Sequence, residues 1–238
     1  TPSVMDCARR LLAEAAAAPE AAPEVGSTPA PSFAAGSPEA RIARLFRFVR
    51  DEIAHSFDRD AAAAKEIASA GTHVGATPPD PRPTSRPTDG LPAELFRRDI
   101  ACRASEVLAL GHGLCFAKSH LLAALLRFAG HPTGFCYARL VDDERPGRFL
   151  LHGFVAVHWP AREGWVLFDP RGDRAIAPAI ASECRFAPPF SLAYAPDPER
   201  GESLLPFVYK RPGKRVVDWL ERVPDEKTLR RTLPDALQ

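Results

Sequence analysis

Cys115 is the residue whose type and position point most directly to chemistry. It follows Gly111-His112-Gly113 and stands where an apolar helical repeat begins. The first turn of a helix carries about half a positive charge and unpaired backbone N–H groups. Both favour the thiolate, the nucleophilic form of cysteine. A nucleophile there also has its own backbone N–H to offer a developing oxyanion. Glycines beside it permit the close approach a substrate needs. The chemistry implied is attack by sulfur on a carbonyl carbon.

A thiol nucleophile needs a base, and the base needs a group to hold it. Residues 152–159 (HGFVAVHW) and 165–169 (WVLFD) are short runs of Val and aromatics joined by a polar stretch. That pattern predicts an antiparallel hairpin. In a register with His152 opposite Asp169, His158 faces Glu163, and Trp159 to Arg162 form a four-residue loop. Directly paired side chains have Cβ atoms about 5 Å apart, within reach of an Asp–His hydrogen bond. Asp169 then fixes the imidazole tautomer and supports the imidazolium. Where the Cys115 helix docks against that strand is left to the tertiary structure.

The surrounding elements are readable from their punctuation. Ser37 as N-cap and Pro38 in the first turn open a helix whose stripe is Ile42, Leu45, Phe46, Val49 and Ile53. A short helix near Ser105 to Leu110 ends at Gly111. The Cys115 helix runs to about Ala129, stopped by Gly130 and Pro132, and its broad apolar face marks it as central and buried. Gly134 to Val141 reads as a strand, followed by a charged turn from Asp142 to Gly147. A last helix is expected around Val216 to Val223. Helices first and a small antiparallel sheet afterwards make an α+β fold.

Composition sets limits. The 238 residues include 25 prolines, about twice ordinary usage. These concentrate in residues 19–38, in residues 76–92 and in the C-terminal third, and largely spare the middle of the chain. The net charge of +1 argues against a nucleic-acid or membrane-surface binder. No apolar run approaches the roughly 18 to 20 residues of a membrane span. Met5 to Ala18 is alanine-rich without the apolar run of a secretory signal. Five cysteines without a CxxC pair fit a reducing compartment, so the expected location is cytoplasmic. Asparagine is absent, so the third member of a Cys–His scheme is a carboxylate rather than an amide.

The order GxC at a helix start, a helix ending Arg-x-x-Gly-x-Pro, a strand with His, then Trp-x-x-x-Asp-Pro resembles the transglutaminase-like superfamily, a papain-like thiol fold. The matching residues are Gly113, Cys115, Arg127, Gly130, Pro132, His152, Trp165, Asp169 and Pro170. The resemblance covers roughly residues 100–175 and is strongest to a bacterial branch. It implies a central helix bearing the nucleophile on a small antiparallel sheet. It also implies a triad of Cys115 as nucleophile, His152 as base and Asp169 as orienter. The thiol chemistry requires no cofactor and no metal, and the expected substrate is a peptide or protein carrying an amide.

Two departures stand out. The usual His-x-Trp is His152-Gly153-Phe154 here. The Trp, Tyr or Gln that often precedes the nucleophile and completes the oxyanion hole is missing, because Trp159, Trp165 and Trp219 all lie downstream. His112 and His55 are the upstream candidates for that donor, with Gly113 and Trp165 as further positioning candidates. His120 lies about 140° around the helix from Cys115 and reads as structural. A zinc site from Cys102, His112, Cys115 and Cys136 matches no common ligand spacing.

The expected organisation is a flexible or partly helical segment over 1–36, a single domain over 37–220 with a Pro-rich insertion at about 60–98, and a tail over 221–238. The expected function is thiol-dependent acyl transfer on amide or peptide bonds, by hydrolysis or transamidation. The alternative is a catalytically weak domain of the same fold that binds peptides in its cleft.

Overall fold

The computed structural model describes residues 3–17, 33–59, 99–159, 164–172, 186 and 191–237. The Pro-rich insertion at 60–98 and most of the Pro-rich stretch at 19–38 lie outside the described residues, as does Cys184.

The described residues at the amino-terminal end are mostly helical. Helix α1 (Val4–Ala17) buries Cys7, Ala8, Leu11 and Ala15. Helix α2 (Pro38–Arg47) opens as its sequence predicts, with the Ser37 hydroxyl accepting from the Ala40 N–H. Its stripe does not continue as an α-helix to Ile53. It widens into a π turn over Phe48–Glu52, although Val49 and Ile53 are buried as expected. The last carbonyls of a helix have no partner of their own. Here the Lys118 ammonium takes two of them, Ile53 at 2.5 Å and Arg50 at 3.3 Å.

Strand β1 (Ala54–His55) pairs in parallel with β2 (His112–Gly113). Between them in sequence lies α3 (Ala104–Leu110), closed by Gly111 at φ +71°, a left-handed conformation that glycine adopts without strain. Two residues after α3 comes β2, and Cys115 then begins the central helix α4 (Cys115–Phe128).

The remainder is the sheet. Strands β3 (Thr133–Val141), β4 (Phe149–His158), β5 (Trp165–Phe168) and β6 (Ser203–Leu204) pair antiparallel in the order β5-β4-β3-β6. Alternation divides β3 and β4 by face. Phe135, Tyr137, Leu151, Val155 and Val157 join the main core with α4, while Cys136, Ala138, Leu140, Phe154 and Ala156 form a smaller cluster. Helices α5 (Lys214–Arg222) and α6 (Glu226–Arg231) bring Val216, Leu220, Val223 and Leu229 into the main core. The α+β architecture is as expected, with the cysteine-bearing helix laid on a small antiparallel sheet. Among the described residues no helix is long and apolar enough to cross a membrane.

One expectation is corrected. The β4–β5 register pairs Val155 with Phe168 and His158 with Trp165. His158 therefore does not face Glu163, and Asp169 is not opposite His152. The connection spans residues 159–164 rather than four. The tight loop assumed from the sequence underestimated the turn by two residues. A slip of two preserves the face each side chain occupies, whereas a slip of one would have separated the pair.

Candidate active site

Cys115 is the first residue of α4 and is largely buried. The extended Leu114 before it turns the chain into the helix, and the Leu114 carbonyl accepts from the Lys118 N–H at 2.8 Å. Behind the nucleophile, the next turn of α4 is tied to the rest of the site. The Lys118 ammonium, fully buried, also donates to the Gly172 carbonyl at 2.8 Å. It thus joins the Cys115 helix to the chain before β1 and to the segment after Asp169. The Ser119 hydroxyl donates to the Gly153 carbonyl at 3.2 Å, next to His152.

Gly153, between His152 and Phe154, lies against the Cys115 helix. A Cβ at this position would lie 2.5 Å from Cδ1 of Phe116, the residue after the nucleophile. Only glycine lets α4 approach β4 this closely.

His152 and Asp169 are 3% and 0% exposed, and His152 Nε2 lies 2.7 Å from Asp169 Oδ2. Asp169 also accepts from the Arg171 N–H at 2.9 Å and the Ala193 N–H at 2.8 Å. With Nε2 committed to Asp169, Nδ1 is the nitrogen left for a thiol. Burial would push the His152 imidazolium toward deprotonation. The Asp169 charge, the adjacent Cys115 and the hydrogen bond to Asp169 outweigh it and raise the group to about 10. Burial likewise pushes Asp169 up, but the His152 charge and the hydrogen bonds hold it below the usual carboxylate range. The pair is a buried imidazolium–carboxylate.

The cover on this pair comes from elements distant in sequence. The Tyr194 ring meets His152 edge-on at 5.2 Å between centroids. Arg171 lies 6.0 Å from the Tyr194 ring and makes a two-bond ion pair with Asp58, at 2.5 and 2.8 Å. Cys115, His152, Arg171 and Tyr194 line one cavity of about 470 Å³, which extends along the β3–β4 hairpin to its turn.

His55 lines the same cavity. The β1–β2 pairing places it opposite Gly113, two residues before the nucleophile. It is 3% exposed, and its Nδ1 is buried without a partner. Burial, with the positive charges of Arg171, Lys118 and His152, holds it well below the usual histidine range, so the ring is neutral.

The other candidates are placed elsewhere. His112 is buried with Nδ1 3.1 Å from the Ser56 hydroxyl and does not line the cavity. A Cβ on Gly113 would crowd Ala117 at 3.1 Å, so this glycine serves helix packing rather than substrate approach. Trp165 is half exposed at the far end of β5, edge-on to His158 and away from the cavity. His120 bonds the Cys102 carbonyl at 2.7 Å and has a structural role. The Cys136 thiol is pushed up to about 11 by burial, which makes it a poor nucleophile. Among the described residues no group of three or more His, Cys, Asp or Glu could hold a metal.

Lys118, Ser119, Arg171, Ala193 and Tyr194 carry parts of the site that the sequence reading missed. Lys118 left one legible trace, a lysine one turn after the nucleophile on a helix that is mostly apolar. Tyr194 and Ala193 lie more than twenty residues beyond Asp169 and left none.

No curated protein sequence matches the chain. Residues 92–170, which hold Cys115, His152 and Asp169 together with the helix and hairpin that position them, match the family model of the transglutaminase-like superfamily.

Proposed function

We propose that the protein is a thiol-dependent acyl-transfer enzyme acting on an amide or peptide bond. The observation that carries this reading is the buried His152–Asp169 hydrogen bond beside a cysteine at a helix start. Cys115 sulfur attacks the carbonyl carbon, and the proton of the thiol resides on His152. The tetrahedral oxyanion is held by the Cys115 backbone N–H. When the carbon–nitrogen bond breaks, His152 returns its proton to the departing amine and a thioester remains. Water or a second amine then attacks the thioester and releases the sulfur. Asp169 keeps Nε2–H directed at itself and Nδ1 at the reacting centre throughout. No metal or organic group is called for by these steps.

His55 is the second oxyanion donor in this reading. Its neutral ring carries one N–H. An unmade acceptor is tolerated in a protein interior more readily than an unmade donor, so the sealed, unpartnered Nδ1 is the bare nitrogen. The N–H is then on Nε2, in a ring that lines the cavity. A neutral imidazole would then play the donor's part that an upstream Trp, Tyr or Gln plays elsewhere in the family that the chain resembles.

The test is the pH dependence of Cys115 alkylation by iodoacetamide. Rapid reaction near pH 6, lost in His152→Ala, is expected. Reaction only above about pH 8, as for an ordinary thiol, overturns the reading.

A further inference from the structure

The cavity extends well beyond the triad, and its direction has a chemical meaning. His152 protonates the departing nitrogen, so the amine half of the substrate lies on the imidazole side of the thioester. Whatever the protein builds beyond His152 along β4 recognises that amine.

Leu150 is two residues before His152 on the same face of β4, one pleat or about 6.6 Å along the strand. Its cross-strand partner is Leu140. Leu233 closes the space from the carboxy-terminal segment, and all three leucines line the cavity with Cys115 and His152. That segment is held in place: the Leu151 N–H donates to the Pro234 carbonyl at 2.7 Å, and Arg145 of the hairpin turn donates to the Arg230 and Arg231 carbonyls. Two of the three carboxylates of the turn are engaged, and the third, Glu144, also lines the cavity. Asp142 pairs with Arg145 at 2.6 Å, and Asp143 pairs with Arg200. The wall next to the base is apolar, formed by Leu140, Leu150 and Leu233, and the carboxylates Asp142, Asp143 and Glu144 lie beyond it at the hairpin turn.

We infer that the amine component, both the leaving group and any acceptor that resolves the acyl-enzyme, is a primary amine bearing an apolar side chain or alkyl group seated between Leu140, Leu150 and Leu233. This rests on the acyl-transfer reading above. In the acceptor direction the amine nitrogen bonds to the thioester carbon, the carbon–sulfur bond breaks, the thiolate departs, and the amine proton passes to His152.

The experiment acetylates Cys115 with p-nitrophenyl acetate, which keeps the acyl half constant. The acetyl-enzyme is then partitioned between water and methylamine, propylamine, pentylamine or 1,5-diaminopentane at equal free-base concentrations. The amide-to-acetate ratio is expected to rise along the alkylamine series by up to about fourfold per methylene, the value for burying a CH₂. Pentylamine is expected to exceed 1,5-diaminopentane, and Leu150→Asn should flatten the series. A p-nitrophenol burst with a flat series, a preference for the diamine, or a slope unchanged in both Leu150→Asn and Leu140→Asn overturns the inference alone. Absence of the burst in the unaltered protein overturns the acyl-transfer reading, and the inference falls with it.

Discussion

His152 and Asp169 are hydrogen-bonded at 2.7 Å although they are not cross-strand partners. Extending the β4–β5 register past Val155 and Phe168 sets Asp169 level with Phe154, so the bond is diagonal and spans one pleat. A diagonal contact depends on the acid being held from behind. The Arg171 and Ala193 N–H groups supply that hold. A mobile carboxylate would find solvent or another cation; this one is fully buried with its acceptors directed.

Asp169→Asn therefore tests orientation and charge together. The amide can keep one backbone N–H but cannot accept from three donors with a charge behind it. Acylation of Cys115 by p-nitrophenyl acetate should slow by on the order of 10² to 10⁴-fold, the range for losing a positioned base or its orienter. Circular dichroism should show the fold retained. A variant that acylates at the original rate would remove Asp169 from the triad.

The same pair makes stability depend on pH in a defined direction. His152 is raised in the folded state, to about 10, above its unfolded value near 6.5. Its contribution is fully present below the unfolded value and is lost as pH rises through about 10. Asp169 is lowered, so its contribution is present above the ordinary carboxylate value and is lost as pH falls through the folded one. The advantage in Tm of the unaltered protein over Asp169→Asn should be largest between about pH 4 and about pH 6.5, where both contributions are present, and should shrink between about pH 7 and about pH 10.5. An advantage independent of pH across that range would mean that the imidazolium does not stabilise the fold.

Gly153→Ala should separate packing from chemistry. The added Cβ meets the Phe116 ring at 2.5 Å, and that ring is buried against Tyr137 and Trp219. Overpacking of this kind destabilises by about 1–3 kcal/mol. Because Phe116 adjoins Cys115, the strain also displaces the nucleophile from His152. The substitution should lower Tm and slow iodoacetamide alkylation together, and Phe116→Leu in the same chain should recover part of both. Unchanged alkylation with a lowered Tm would show that β4 and α4 move as one body.

The parts legible in the sequence are those governed by local rules. Ser37-Pro38, Gly111 and Gly130-His131-Pro132 mark helix ends through backbone requirements that hold in any context. Alternation placed β3, β4 and β5 to within a few residues and put His152 and Asp169 on one face even though the register was displaced by two. What the sequence could not convey was contact between distant segments. The roles of Lys118, Tyr194 and Ala193 exist only once α4, the π turn and the chain near residue 193 meet. Gly153 carried no signal in the sequence because its partner, Phe116, acts across the helix–sheet interface.

His55 can be separated from a merely structural histidine by choosing two reactions of the same thiol. Acylation by an ester passes through an oxyanion, whereas alkylation by iodoacetamide is a displacement at saturated carbon and forms none. Loss of an oxyanion donor costs on the order of 10²- to 10³-fold in the first reaction and should leave the second unchanged. His55→Leu is expected to show that split, with kcat for p-nitrophenyl acetate falling and KM little altered. His55→Gln keeps a neutral N–H donor on a side chain of similar reach, so it should recover much of the acylation rate. If His55→Leu slows both reactions alike, the ring is a packing element under Cys115, and the second donor lies elsewhere.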